Sequence, residues 1–142
     1  MSPGRVDEAT LRRHLLALDE ALTELSRHVG QAQEVLLTNL SERWSVERGL
    51  QIAVQNVLDI ATHLVASAGI DAPDYATAID ELGRLGAVSM PLALKLRPLA
   101  GFRNALVHGY IRLDLARVHS VLNEHLKELR EFALEIESYL GR

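Results

Sequence analysis

The sequence of 142 residues contains no cysteine. This absence excludes disulfide bonds, zinc sites with thiolate ligands and a cysteine nucleophile. Aromatic residues make up only 4% of the chain, too few for a surface that binds RNA by stacking bases on aromatic rings. The remaining composition, with 48% apolar and 24% charged residues, is typical of a folded globular protein. We therefore expect one domain that spans residues 1–142.

Long apolar runs are also missing, and no uncharged stretch is long enough to cross a bilayer. The first eight residues include Arg5, Asp7 and Glu8 and lack the apolar segment of a signal peptide. Together with the lack of cysteine, these features predict a cytoplasmic protein that does not associate with a membrane.

Basic residues are outnumbered, since 15 Lys and Arg face 19 Asp and Glu and give a net charge of -4. A protein that coats nucleic acid without specificity should instead be strongly basic. The charges are nevertheless uneven, because five basic residues and one acidic residue lie between Lys95 and Arg117. This cluster is compatible with a local anion-binding site on an acidic protein.

Leucines at alternating spacings of four and three residues predict amphipathic helices. The first helix follows an N-cap at Asp7 and stops near Gly30, and the others are predicted at about Ser45–Ala68, Asp74–Leu85, Ser89–Gly109 and Asp114–Leu140. Residues Gln31 to Trp44 fit either a continuing helix or a break, and Tyr110 to Leu115 fit an extended connector. Pro98 lies inside the predicted Ser89–Gly109 helix and should kink it. The sum is an all-α, up-down bundle of four long helices plus a short one.

Familiar site motifs do not occur in this sequence. It has neither the glycine-rich loops that bind nucleotides nor the H-E-x-x-H and G-x-S-x-G patterns of hydrolases. The six histidines include no pair at i,i+4 spacing, so we predict neither a metal site nor a cofactor.

One segment concentrates functional side chains, since Arg103, Asn104, His108 and Tyr110 lie within eight residues at the end of a predicted helix. The string RNALVHGY resembles the R-N-x-x-x-H-x-Y signature of the HEPN superfamily, in its HepT-like toxin branch. The segment Glu47 to Gln51, with Asp59 further along the same helix, resembles the second helix of that family. The Ser-Met-Pro entry to the motif helix at residues 89–91 is also similar.

This resemblance implies a HEPN-like bundle and a metal-independent endoribonuclease that acts as the toxin of a type VII-like toxin–antitoxin system and works as a homodimer. Arg103, His108 and Asn104 correspond to the catalytic residues, and Asp59 and Arg48 are supporting candidates. The substrate would be RNA. The partner would be a minimal nucleotidyltransferase antitoxin, which neutralises such toxins by adenylylating the motif tyrosine, here Tyr110.

The chemistry of the residue types agrees with this function. RNA cleavage without a metal needs a base for the 2′-hydroxyl, an acid for the leaving oxygen and a cation for the charged phosphorane. Arginine binds phosphate with a planar fork that stays charged, and histidine titrates near neutral pH. At a helix C-terminus, His108 is favoured as imidazolium and therefore as the acid.

The spacing of the motif limits its geometry. On an ideal helix, Arg103 and His108 point about 140° apart, so they converge on one phosphate only if the helix unwinds before His108 or if they belong to different subunits. Asn104 lies four residues before His108 and shares its face, where it would orient the imidazole. Each motif supplies one histidine, whereas the reaction needs an acid and a base, and a two-fold dimer would supply both.

Structural explanations compete for several of these residues. Arg48 and Glu47 fit a solvated pair on a helix face, Tyr110 fits an aromatic anchor of the connector, and Asp59, if buried, needs a partner such as Arg103 or His63. The competing function is a non-catalytic helical module that binds nucleotide or RNA and regulates a partner nucleotidyltransferase. A third interpretation is a four-helix dimerisation domain, favoured if no anion or RNA binds.

Overall fold

The computed structural model describes residues 6–108 and 114–141. These residues form helices and turns, with no strand among them. The helices are α1 (Glu8–Ser26), α2 (Gln33–Thr38), α3 (Leu40–Ser67), α4 (Tyr75–Leu85), α5 (Met90–Leu96), α6 (Leu99–Val107), α7 (Leu115–Ser120) and α8 (Leu126–Leu140). A π-helical segment, Val121–His125, joins α7 to α8. The predicted all-α helical bundle is confirmed.

The long helix α3 lies at the centre and packs against α1, α4 and α6, while α8 packs against α1 and α5. Helices α1 and α3 approach closely at Gly49, where an added Cβ would come within 2.7 Å of Leu25 Cδ2. In the described part of the chain, no polar or charged residue is buried, and the core consists of apolar side chains. Polar functional groups therefore lie on the surface or at its edge.

The predicted helix starts are confirmed at three N-caps. Asp7 accepts a hydrogen bond from the Thr10 amide at 3.1 Å, and Ser89 Oγ accepts one from the Leu92 amide at 3.3 Å. Asp114 accepts from the amides of the next helix, at 3.1 Å from Ala116 N. In each case the side chain satisfies an N–H group that the helix cannot pair internally.

Two predicted boundaries were wrong. The first helix ends at Ser26 rather than near Gly30, because a turn follows in which Gly30 takes a φ of +92°. The second long helix begins at Leu40 rather than Ser45, because Asn39 caps it by accepting from the Glu42 amide at 3.1 Å.

Pro98 divides the predicted motif helix into α5 and α6. Arg97 and Pro98 keep right-handed helical dihedrals, but proline lacks the N–H that would continue the hydrogen-bond ladder. Of the predicted connector, Leu115 is instead the first residue of α7, and residues 110–113 lie outside the described residues.

The final predicted helix contains a π-helical turn that the leucine spacing does not reveal. In this turn Asn123 accepts a hydrogen bond from the Gly30 amide at 2.8 Å, and its Nδ2 donates to the His119 carbonyl at 2.9 Å. The widened turn therefore joins the C-terminal helices to the loop after α1.

Candidate functional site

The motif lies on α6, a short helix that packs against α3 and α4. Phe102 and Leu106 are buried and share one face of α6 at i,i+4 spacing. Burial of this face leaves Arg103 half-buried and Asn104 and His108 exposed. The apolar anchors thus fix how the polar residues of the motif are presented.

Three contacts hold the Arg103 side chain. Its Nε donates to Gln55 Oε1 at 2.9 Å, and its Nη1 donates to Asn104 Oδ1 at 3.2 Å. The guanidinium carbon lies 5.5 Å from the centre of the Tyr75 ring, within the range of a cation–π interaction. Among the described residues, Nη2 makes no hydrogen bond.

Gln55 connects this arginine to a carboxylate. Its Nε2 donates to Asp59 Oδ1 at 2.8 Å and lies 3.4 Å from the Tyr75 hydroxyl. We call Gln55, Asp59, Tyr75, Arg103 and Asn104 the arginine network. It joins α3, the first residue of α4, and α6.

The arginine network shows which residue partners Asp59. Its half-buried carboxylate is paired with Gln55 and reaches Arg103 through that amide. His63 instead accepts a hydrogen bond from the Asp7 amide at 3.1 Å. Gln55 and Tyr75 were not predicted as site residues. The spacing of Gln55 four residues before Asp59 was an available signal, whereas Tyr75 carried none.

His108 is the C-cap of α6, and its side chain is exposed. Its backbone N–H still donates to the Asn104 carbonyl at 3.1 Å, so α6 does not unwind before His108. On an ideal helix the two side chains point about 140° apart, and helical hydrogen bonding up to the His108 amide favours such a wide separation. Asn104 contacts Arg103, and its role in orienting His108 stays a prediction. Tyr110 lies outside the described residues.

Arg48 does not join the arginine network. It is exposed and donates to Gln51 Oε1 at 3.1 Å on its own helix. Its neighbour Glu47 is half-buried, and this burial raises the pKa of its carboxyl because removal from water penalises the charged form.

The basic cluster between Lys95 and Arg117 is divided in the structure. Arg97 pairs with Asp80 at 3.2 Å on one side, and Arg103 belongs to the arginine network. Arg117 lies over the Phe102 ring, 5.0 Å from its centre. Arg112 lies outside the described residues. Lys95 and Arg117 line one cleft together, and Arg103 is the member of the cluster that lies within the motif.

In the described ranges, no group of three His, Asp or Glu side chains is arranged to hold a metal ion. No helix in the same ranges is both long and apolar enough to span a bilayer.

Comparison with known protein families matches residues 18–136 to the model described as ribonuclease HepT-like. The match covers most of the chain and includes α3, α4 and α6, which carry the arginine network. The protein belongs to the ribonuclease HepT-like family, as the motif predicted.

Curated relatives agree with this assignment. The chain is 32% identical to a putative RNase of Archaeoglobus fulgidus over 88% of this chain and 91% of the relative. It is 25% identical to the tRNA nuclease HepT of Aphanizomenon flos-aquae over 95% and 92% of the two chains. It is 29% identical to the mRNA nuclease HepT of Shewanella oneidensis over 62% of this chain and 67% of the relative.

Solved structures share the fold. The cytosolic protein YutE of Bacillus subtilis, of unknown function, superposes with a TM-score of 0.83 at 19% identity, over 96% of this chain and 92% of that chain. The tri-AMPylated Shewanella oneidensis HEPN toxin in complex with MNT antitoxin has a TM-score of 0.78 at 22% identity, over 90% of this chain and 96% of that chain.

Proposed function

We propose that this protein is a metal-independent endoribonuclease, the toxin of a toxin–antitoxin system, with Arg103 and His108 as its catalytic groups. The observation that carries the proposal is the held guanidinium of Arg103, five residues before an exposed histidine on α6. The relatives named as RNase, tRNA nuclease and mRNA nuclease support the reaction class.

In this proposal Arg103 binds the scissile phosphate. Nη2 and the remaining Nη1 hydrogen would face the anion as a fork, the geometry in which arginine binds phosphate most strongly. As negative charge grows on the phosphorane, this fixed cation stabilises it without having to reorganise.

His108 supplies proton transfer. In its imidazolium form, His108 at the end of α6 would protonate the leaving 5′-oxygen. A second imidazole in the neutral form would accept the proton of the attacking 2′-hydroxyl. The bond to the 2′-oxygen then forms as the bond to the 5′-oxygen breaks.

The second imidazole would come from a second copy of the chain. Because α6 keeps its helical hydrogen bonding up to the His108 amide, we expect the Arg103 and His108 side chains of one chain to point in different directions. A two-fold dimer with two α6 ends facing one cleft would bring Arg103 of one copy toward His108 of the other.

A nucleotidyltransferase antitoxin would control this site through Tyr110. The AMPylated Shewanella oneidensis toxin in complex with MNT antitoxin supports such a partner. Tyr110 lies two residues beyond His108 in the sequence, so AMP on its hydroxyl would place a phosphate close to the cleft. That phosphate would compete with RNA for the Arg103 fork.

The proposed reaction is tested with purified protein and labelled RNA in EDTA. We expect cleavage in EDTA, loss of cleavage in His108→Ala, and full activity in the control His125→Ala. His125 is a partly exposed histidine whose ring contacts Glu128 at 3.1 Å. RNA binding without cleavage by the wild-type protein would favour the non-catalytic regulatory module instead. Cleavage that disappears in EDTA would contradict metal independence.

A further inference from the structure

We propose that Gln55 is a positioning residue for Arg103, and that its amide is oriented by Asp59 and Tyr75. The inference deepens the proposed function and rests on it for the role of Arg103 toward RNA. Its physical basis is the arginine network, which exists in the protein without RNA.

The chemistry of the neighbours fixes which way the Gln55 amide points. A carboxylate accepts hydrogen bonds and donates none, so the Gln55 NH₂ must face Asp59, at 2.8 Å. The Tyr75 hydroxyl oxygen lies on the same side at 3.4 Å. The Gln55 oxygen is thereby directed at Arg103 Nε, 2.9 Å away. A flipped amide would place oxygen against carboxylate and NH₂ against guanidinium.

The acceptor that holds Arg103 is neutral. An aspartate or glutamate in direct contact would orient the guanidinium but would also offset its charge. Asp59 orients the Gln55 amide, and this amide in turn holds Arg103, so the carboxylate does not contact the guanidinium through this pair. Arg103 is thus held at Nε by a neutral group, which leaves its positive charge for a phosphate.

Tyr75 restricts the guanidinium through its ring, over which the guanidinium carbon lies. The ring lies 5.5 Å from the guanidinium carbon, and Tyr75 itself packs against the hydrophobic core. The hydrogen bond to Gln55 and the contact with the Tyr75 ring together limit the rotamers of this long, flexible side chain. Restricted rotamers lower the cost of ordering the fork when RNA binds.

The chain offers a matched control on the same helix. Gln51 lies one turn before Gln55 on α3, is likewise half-buried, and accepts from an arginine, Arg48 Nη1, at 3.1 Å. Arg48 is not part of the arginine network. Gln55→Met and Gln51→Met therefore remove the same chemistry from two glutamine–arginine pairs, and only the first pair holds Arg103.

The first measurement uses protein without RNA. The ¹⁵N signal of the Arg103 Nε–H group, assigned with Arg103→Lys, is recorded in the wild type and both variants. We expect Gln55→Met to shift this signal and to accelerate its exchange with water roughly tenfold, while Gln51→Met leaves it unchanged. An unchanged signal in Gln55→Met would overturn the proposal. If Gln55→Met does not fold, Gln55→Asn, whose amide is one methylene too short to reach both partners, takes its place.

The second measurement is RNA cleavage. We expect Gln55→Met to lower kcat/KM by roughly 10- to 100-fold and to cause no further loss in an Arg103→Ala background. A further loss of the same size there would show that Gln55 acts independently of Arg103.

The two measurements separate the two proposals. If the wild type cleaves no RNA, the proposed function is wrong, and the Nε–H signal still decides whether Gln55 positions Arg103. If the signal responds in Gln55→Met but cleavage by that variant equals the wild type, the positioning role in catalysis is overturned while the proposed function stands.

Discussion

The two ends of the motif helix are built differently. Arg103 is half-buried and contacts side chains on α3, α4 and α6. His108 is exposed at the C-cap of α6, in front of the segment that leads to Tyr110. One group of the proposed site is therefore oriented by the fold of the chain, and the other is presented at the end of a helix.

Because of this difference, we expect substitutions at the two positions to affect RNA cleavage and thermal stability in different proportions. Removal of an exposed residue at a helix end should change activity with little effect on folding. Removal of Arg103 should affect both, because Gln55 and Asn104 lose a charged hydrogen-bond donor. Substitutions at the two positions therefore have different predicted effects on thermal stability.

The largest expected effect is that of His108→Ala. Loss of the proposed acid should lower the RNA cleavage rate by roughly 10²- to 10⁴-fold, and the melting temperature should stay within about 1 °C of the wild type. Cleavage assays, thermal melts and growth of an expressing bacterial host measure these outcomes. A soluble His108→Ala protein with full toxicity would contradict the role of His108.

Arg103→Ala should reduce cleavage roughly 10²- to 10³-fold, the effect of losing one charge-stabilising group. Its melting temperature should also fall by about 4 °C, since a net contribution near 1 kcal/mol is lost. Arg27→Ala is the control, because Arg27 is an exposed arginine that pairs with Glu24 one turn earlier on the surface. Equal melting temperatures for Arg103→Ala and the wild type would contradict the claim that Arg103, unlike His108, contributes to the stability of the fold.

Tyr110→Phe should keep RNA cleavage but prevent neutralisation by the antitoxin. The variant loses only a hydroxyl, so we expect it to cleave RNA within roughly tenfold of the wild type and to resist neutralisation by the cognate nucleotidyltransferase. Mass spectrometry after co-expression should find AMP on the wild type alone. An adduct that persists in Tyr110→Phe would place the modification at another residue.

The smallest expected effect concerns Glu47, a half-buried carboxyl of α3 outside the arginine network. Its pKa is raised above 4.5 by burial, so the folded state disfavours the charged form, and this cost appears as the pH rises above the unfolded pKa. Glu47→Gln should raise the melting temperature slightly at pH 7, and the difference should vanish below pH 4. Thermal melts across this range test it, and a lower melting temperature at pH 7 would show that the carboxylate is stabilising.

Local features of the fold were predictable because their causes lie within a few residues. Asp7, Ser89 and Asp114 cap helices through amides two or three residues away, and Pro98 interrupts its own helix. The π-helical turn at 121–125 could not be predicted from leucine spacing. Its Asn123 pairs with the Gly30 amide, a contact that only the packed bundle creates.

The same contrast between local and long-range contacts applies to the candidate site. Arg103, Asn104 and His108 occur in one contiguous string, so pattern alone identified them. Gln55 and Tyr75 reach Arg103 across 48 and 28 positions of sequence, respectively, through the packing of α3 and α4 on α6. Such contacts have no local signature, which explains why these two residues were missed.

The shared cleft is the central claim, and subunit mixing tests it most directly. Arg103→Ala and His108→Ala proteins, each inactive alone, are unfolded together and refolded, and heterodimers are confirmed by native mass spectrometry. If Arg103 of one copy works with His108 of the other, each heterodimer keeps one such pair but only one of the two imidazoles. The mixture should therefore cleave RNA faster than either variant alone, at less than about a quarter of the wild-type rate. Confirmed heterodimers without RNA cleavage would contradict the shared site.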